Sequence, residues 1–175
     1  MLNKFFIIIV TFLLFQSNYS QNEQSPLLSL SFAEFDQTPE RGWRSLVSHN
    51  SSPEEYCRAA HLIDSYITHN KSLTDSELAI TCFHAGQLSA CAGDSDKALN
   101  YFNKSYTYSL AAKTGQAWLL YVRATIAFLK KDEQELEQCS DELQKSYKTT
   151  LGKNAEIVLN LRNNLDKSYA EIYLS

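Results

Sequence analysis

No proline occurs after Pro53 in this chain of 175 residues; the others are Pro26 and Pro39. Only Gly86, Gly93, Gly115 and Gly152 punctuate the stretch that follows. A sandwich or barrel reverses direction every few residues and draws on proline and glycine to do so. So little turn chemistry argues against such folds and leaves long helices joined by few loops.

The helix starts are written in the side chains. Ser52-Pro53-Glu54-Glu55 offers an N-cap hydroxyl, proline at the first helical position, and a glutamate placed to return the hydrogen bond. Tyr56, Ala59, Ala60, Ile63 and Ile67 follow at helical spacing. Thr74-Asp75-Ser76-Glu77 repeats the device ahead of Leu78, Cys82, Ala85, Leu88 and Cys91, and Gly93 suits the stop. Asp94 or Ser95 begins a third helix carrying Ala98, Leu99, Phe102 and Tyr106, with Gly115 expected to end it. Gln116 to Lys131 is apolar nearly all round, which predicts a central, covered helix closed by Lys130 and Lys131. Asp132-Glu133-Gln134-Glu135 opens the next, with Leu136, Cys139, Leu143 and Tyr147 as its stripe and Gly152 as its expected end. Asn154 is expected to cap a last helix with Val158, Leu161, Leu165, Tyr169 and Ile172 inward. Short connections make successive helices antiparallel neighbours, so the expected fold is all-α, a stack of about six to seven helices in hairpins.

Ahead of this domain (residues 52–175) lie two other segments. Phe5 to Phe15 is apolar except for Thr11, follows Lys4, and is too short for the roughly 20 residues of a membrane span. It reads as a secretory leader over residues 1–20, which predicts an exported protein, periplasmic or extracellular. Residues 21–51 read as a loosely ordered arm, with a short helix beginning at Thr38-Pro39-Glu40 and carrying Trp43, Leu46 and Val47.

The net charge of −4 argues against a nucleic-acid binder, which normally carries a basic face. Four cysteines (Cys57, Cys82, Cys91, Cys139) are too sparse for a disulfide scaffold and read as small buried thiols. Asn50, Asn70 and Asn103 head Asn-x-Ser triplets, which matter only in a glycosylating pathway.

Ala79 to Ser105 resembles one tetratricopeptide repeat: Gly86 seven places after Ala79, Gly93-Asp94 at the turn, then Ala98 and Phe102. Ser89 and Ser105 stand where that family usually has an aromatic and an alanine. A weaker copy begins at Ala117, with Ala124, Lys131-Asp132 and Leu136 in matching places and Ser140 where Phe102 would fall. The resemblance implies a short solenoid that binds a peptide or partner protein on its concave face. It would place Ile80, Phe83, Gln87 and Ala90 there from the first copy, and Trp118, Tyr121, Thr125 and Phe128 from the second. The competing expectation is that the arm or the last helix covers these side chains as ordinary core.

A second reading rests on chemistry. Glu54, Cys57, His61 and Asp64 share one helical stripe, and a hairpin would face His61 toward Cys82 and His84. Such a group would suit a small metal- or thiol-dependent hydrolase. The chain has no HExxH, no CxxC, no phosphate-binding glycine loop and no nucleophile elbow, and no motif calls for a cofactor. Arg123, alone in an apolar helix, is expected to pair with a carboxylate, and the acids from Asp132 to Glu142 to form a solvated face. The leading expectation is an exported, non-catalytic domain that binds an unidentified protein or peptide. The third is a structural envelope component acting through self-association.

Overall fold

The computed structural model describes residues 26–174, so the expected leader lies outside the described residues. A π turn (Ala33–Gln37) and a 3₁₀ turn (Gly42–Leu46) precede the α-helices α1 (Pro53–His69), α2 (Asp75–Cys91), α3 (Ser95–Ala111), α4 (Gln116–Lys130), α5 (Glu133–Ser146), α6 (Lys148–Asn163) and α7 (Tyr169–Tyr173). No strand occurs among the described residues, and successive helices pack on one another as an all-α stack of hairpins. No helix among them is long and apolar enough to cross a membrane.

The starts follow the caps. Ser52 and Thr74 each accept from the backbone N–H three residues on, while Glu55 and Glu77 return the bond to the cap N–H at 2.7 and 2.8 Å. Asp94 and Asp132 cap α3 and α5 through the N–H groups of Lys97 and Glu135.

The stops differ from expectation. Gly93 ends α2 with φ +84°, as its freedom in the left-handed region allows. The ends of α3 and α4 are made by lysines: Lys113 (φ 53°) and Lys131 (φ 57°) adopt the left-handed conformation and close the same turn. The bonds are Thr114 N–H to Ser109 O at 3.0 Å and Asp132 N–H to Ala127 O at 2.9 Å. Gly115 is therefore the N-cap of α4, not the end of α3. Gly152 kinks α6 and does not end α5, which stops at Ser146.

The last helix is also two. α6 ends at Asn163, Leu165 lies in the linker, and Tyr169 and Ile172 sit on α7, which starts on a fresh capping box of Ser168 and Glu171. Lys131 Nζ reaches across to donate to the linker carbonyls of Leu165 (2.6 Å) and Lys167 (2.9 Å). A cation from the α4–α5 turn thus holds a break that no proline or glycine marks.

The arm is docked rather than loose. Phe35 is fully buried and stacks on Tyr66 with ring centroids 3.7 Å apart. Tyr66 Oη donates to Leu30 O, and Asn70 Nδ2 to Leu28 O, both at 3.0 Å. The short helix starts at Gly42, not at Pro39. Gly42 has φ +55°, and a Cβ there would lie 2.0 Å from Phe35 O, so only glycine fits.

The central helix is α2 rather than α4. Apart from His84, every residue of α2 from Thr81 to Cys91 is buried. Ala79, Ala85, Gly86, Ser89 and Ala90 are small enough for neighbours to close in on several sides. Phe102 of α3 lies over Gly86, where a Cβ would come within 2.8 Å of its ring. The acids of α5 are not merely solvated: Glu135 pairs with Arg123 of α4, and Glu137 and Asp141 pair with Arg162 of α6.

Two substitutions test this packing. Gly86→Ala forces a methyl into the Phe102 ring, and overpacking outweighs the gain in helix propensity. We expect a net loss of about 1–2 kcal/mol by urea denaturation, partly recovered by adding Phe102→Leu. Ser140 Oγ is buried without a hydrogen-bond partner among the described residues. Ser140→Ala removes that cost and is expected to be neutral or to stabilise by about 1 kcal/mol in the same assay.

Candidate functional site

The expected binding residues lie on the facing sides of α2 and α4, most of them as core. Phe83 lies 5.0 Å from Trp118 and 4.9 Å from Tyr121, ring centroid to centroid. Phe83, Gln87, Tyr121, Thr125 and Phe128 are all buried, and Trp118 is half-buried. Thr125 is turned onto its own helix, its hydroxyl donating to Tyr121 O at 2.9 Å. Trp118 Nε1 donates to Ser109 Oγ at 2.9 Å, so its polar edge is already satisfied.

α7 packs against one part of this cluster. The Tyr169 ring sits 6.4 Å from that of Phe102 and 6.2 Å from that of Phe128. Gln87 Nε2 donates to Tyr169 Oη at 3.1 Å, a buried polar contact among apolar rings. Burial pushes the Tyr169 hydroxyl well above its usual pKa, so it stays protonated. Tyr173 stacks on Tyr169 at 5.4 Å and is 42 % exposed. Phe83, Trp118 and Tyr121 are thus brought together, largely as core, with Tyr169 of α7 packed against Phe102 and Phe128.

Beside α7 opens a cleft of about 740 Å³ between the arm and the C-terminal helices. Val47, Tyr56 and Ile157 give it apolar walls, Arg44, Lys153 and Glu156 line it with charge, and Tyr173 is its edge on the α7 side. Arg44 is fixed there: its Nε donates to Asp36 O at 2.7 Å and its guanidinium lies 4.2 Å over the Trp43 ring.

Behind this wall is a buried carboxylate that the sequence reading missed. Asp36 Oδ1 accepts from Trp43 Nε1 at 3.0 Å and lies 2.9 Å from His84 Nδ1. Gln37 Nε2 donates to the other carboxylate oxygen. Burial alone would raise the carboxyl's pKa. The hydrogen bond and charge of His84, with Trp43 and Arg44, outweigh burial and hold it below the ordinary value. The only available signal was the Phe35-Asp36 pair next to a tryptophan-bearing turn.

The candidate hydrolase residues do not assemble. His84 is engaged by Asp36, and His61 lies beside Lys97 Nζ at 3.5 Å. Among the described residues, no group of three or more His, Cys, Asp and Glu side chains could hold a metal ion. All four cysteines are free thiols. Burial pushes Cys82, Cys91 and Cys139 up to about 12, which leaves no appreciable thiolate at neutral pH. Asn70 spends its amide on Leu28 O and Tyr66 O, and Asn103 donates to Leu99 O.

No family model matches the chain, and neither a curated protein nor a solved structure matches it.

The Asp36 contacts set a pH dependence. A carboxyl whose folded pKa is depressed contributes full stability above its unfolded pKa, near 4, and loses it as pH falls through the lower folded value. Urea denaturation is expected to show the wild-type chain losing stability below about pH 4, with Asp36→Asn lacking that component. At pH 7 the same variant is expected to be weaker by about 1–3 kcal/mol, because the amide keeps only one of the two acceptor oxygens that Trp43, His84 and Gln37 share.

Proposed function

We propose that this chain is an exported, non-catalytic helical-hairpin domain that binds a partner protein or peptide. The observation that carries this reading is the aromatic cluster shared by α2, α3 and α4, on which a short helix packs through ring contacts and a buried hydrogen bond. Surfaces of this kind take an amphipathic helix by its apolar face. The cleft beside α7 adds an approach bordered by the fixed cation of Arg44 and by Tyr173.

The tetratricopeptide resemblance supports the same reading. Gly86 lies under Phe102, as that family sets a small residue against a large one. Gly93-Asp94 and Lys131-Asp132 make the same left-handed turn followed by an aspartate cap. Export, to periplasm or medium, follows from the leader read over residues 1–20.

The test is site-specific photo-cross-linking in the producing cell. A cross-linking residue at Tyr173, on the cleft, is expected to capture a discrete partner, and one at Leu110, 52 % exposed and outside the cleft, is not. Equal capture at both positions, or none at either, overturns the reading. A captured species of exactly twice the chain's mass would instead support self-association.

A further inference from the structure

The cleft between the arm and the C-terminal helices holds one fixed cation in an otherwise apolar inner wall. We propose that it binds a small organic acid, a single carboxylate carried on an apolar body such as a medium-chain aliphatic acid. The inference uses no residue of the aromatic cluster and does not depend on partner binding.

Three observations lead there. The first is Arg44. Arg41, Arg58, Arg123 and Arg162 each pair with a carboxylate. Arg44 forms no ion pair among the described residues; its Nε donates to the neutral Asp36 carbonyl at 2.7 Å, and its guanidinium lies over the Trp43 ring. The Asp36 carboxylate is itself engaged by Trp43, His84 and Gln37. A half-buried guanidinium held at two points loses little freedom on meeting an anion, and its Nη end suits the two oxygens of a carboxylate.

The second is the apolar wall. Val47, Tyr56, Ile157 and Ile172 line the same cleft, whose volume of about 740 Å³ lies within the range of small-molecule sites. The Tyr56 hydroxyl already donates to Ser48 O at 2.9 Å, so this ring offers the cleft its apolar body. A peptide laid there would bring backbone N–H and C=O groups onto apolar side chains, at a cost that a hydrocarbon body does not carry.

The third is the balance of charge. Behind Arg44 stands the buried Asp36, and the exposed rim carries Glu40 and Glu156 beside Lys153 and His49. One guanidinium so surrounded offsets one negative charge and not two, which favours a carboxylate over a phosphate ester. The arm wall is also set before any ligand arrives, by Phe35 on Tyr66 and Asp36 on His84, so binding has little left to order.

Decanoate, kept below the concentration at which it forms micelles, is the probe, titrated into the full chain at pH 8 by isothermal calorimetry. A single site per chain is expected, with 1-decanol at least about tenfold weaker, because it lacks the charge-assisted pair, and decyl phosphate also weaker. Arg44→Lys keeps the charge but loses the planar fork and is expected to bind decanoate about tenfold less tightly. Ile157→Glu sets a carboxylate into the cleft and is expected to abolish binding; Leu159→Glu, on the same helix outside the cleft, is expected to leave it unchanged. Equal binding of decanoate and 1-decanol, uptake of several equivalents per chain, binding untouched by both cleft variants, or no binding at all overturns the proposal. Tighter binding of decyl phosphate overturns the single charge. Should either cleft variant fail to fold by circular dichroism, the comparison of acid with alcohol on the wild-type chain decides alone. The tetrapeptide Ala-Val-Ile-Leu with a free carboxylate, if it binds as tightly as decanoate, assigns the cleft to a chain terminus and overturns the small acid. A silent decanoate titration with a positive cross-link at Tyr173 removes the ligand and leaves partner binding standing.

Discussion

The close approach of α2 and α3 at Gly86 is the constraint on which the rest of the stack depends. With only a hydrogen at that position, the Phe102 ring comes down onto the α2 backbone. From there it reaches Phe83 on one side, with centroids 5.0 Å apart, and Tyr169 on the other. The ring series continues from Phe83 to Trp118 and Tyr121 of α4. One missing methyl group thus lets three helices and the C-terminal segment share a single core. Dispersion between well-seated rings adds to the burial of their large apolar surfaces. A side chain at residue 86 would push Phe102 outward and loosen each of these contacts in turn.

Buried polar side chains in this core mostly bond their own backbone. Thr81, Ser89, Ser109 and Thr125 each return their hydroxyl to the carbonyl four residues back, and Ser105 donates to Ala79 O across the α2–α3 interface. Such residues satisfy themselves and leave helix surfaces effectively apolar and thin. Gln87 and Asp36 do otherwise. Their partners come from far along the chain, Tyr169 in one case and His84 in the other, so each fixes the place of a segment that has little core of its own. The stack is general hydrophobic packing, and the first and last described segments are placed on it by particular polar contacts.

The hairpin stack was largely legible in the sequence because its punctuation is local. Ser52, Thr74, Asp94 and Asp132 act on N–H groups three residues away, so their meaning is contained in a few letters. The misread features are those decided at a distance. The Ser168–Glu171 capping box marks the start of α7, but the apolar stripe running from Leu161 through Leu165 to Tyr169 conceals it, and Lys131 holds the linker from the α4–α5 turn. Lys113 and Lys131 stop helices in a left-handed conformation that lysine does not favour, closed by backbone hydrogen bonds that its side chain does not signal. The central position of α2 over α4 reflects side-chain size rather than hydropathy, and hydropathy is what a periodicity scan weighs. Phe83, Trp118 and Tyr121 are neighbours, but what covers the aromatic cluster was not legible. Tyr169 reads as one more stripe residue until the chain is seen to turn back at the linker.

The cleft has a further consequence. Its walls come from Pro39–Tyr56 on one side and Lys153–Leu174 on the other, segments far apart in sequence that the hairpins from α2 to α5 hold at their distance. A change in how those hairpins pack therefore alters the width of the cleft without touching any residue that lines it.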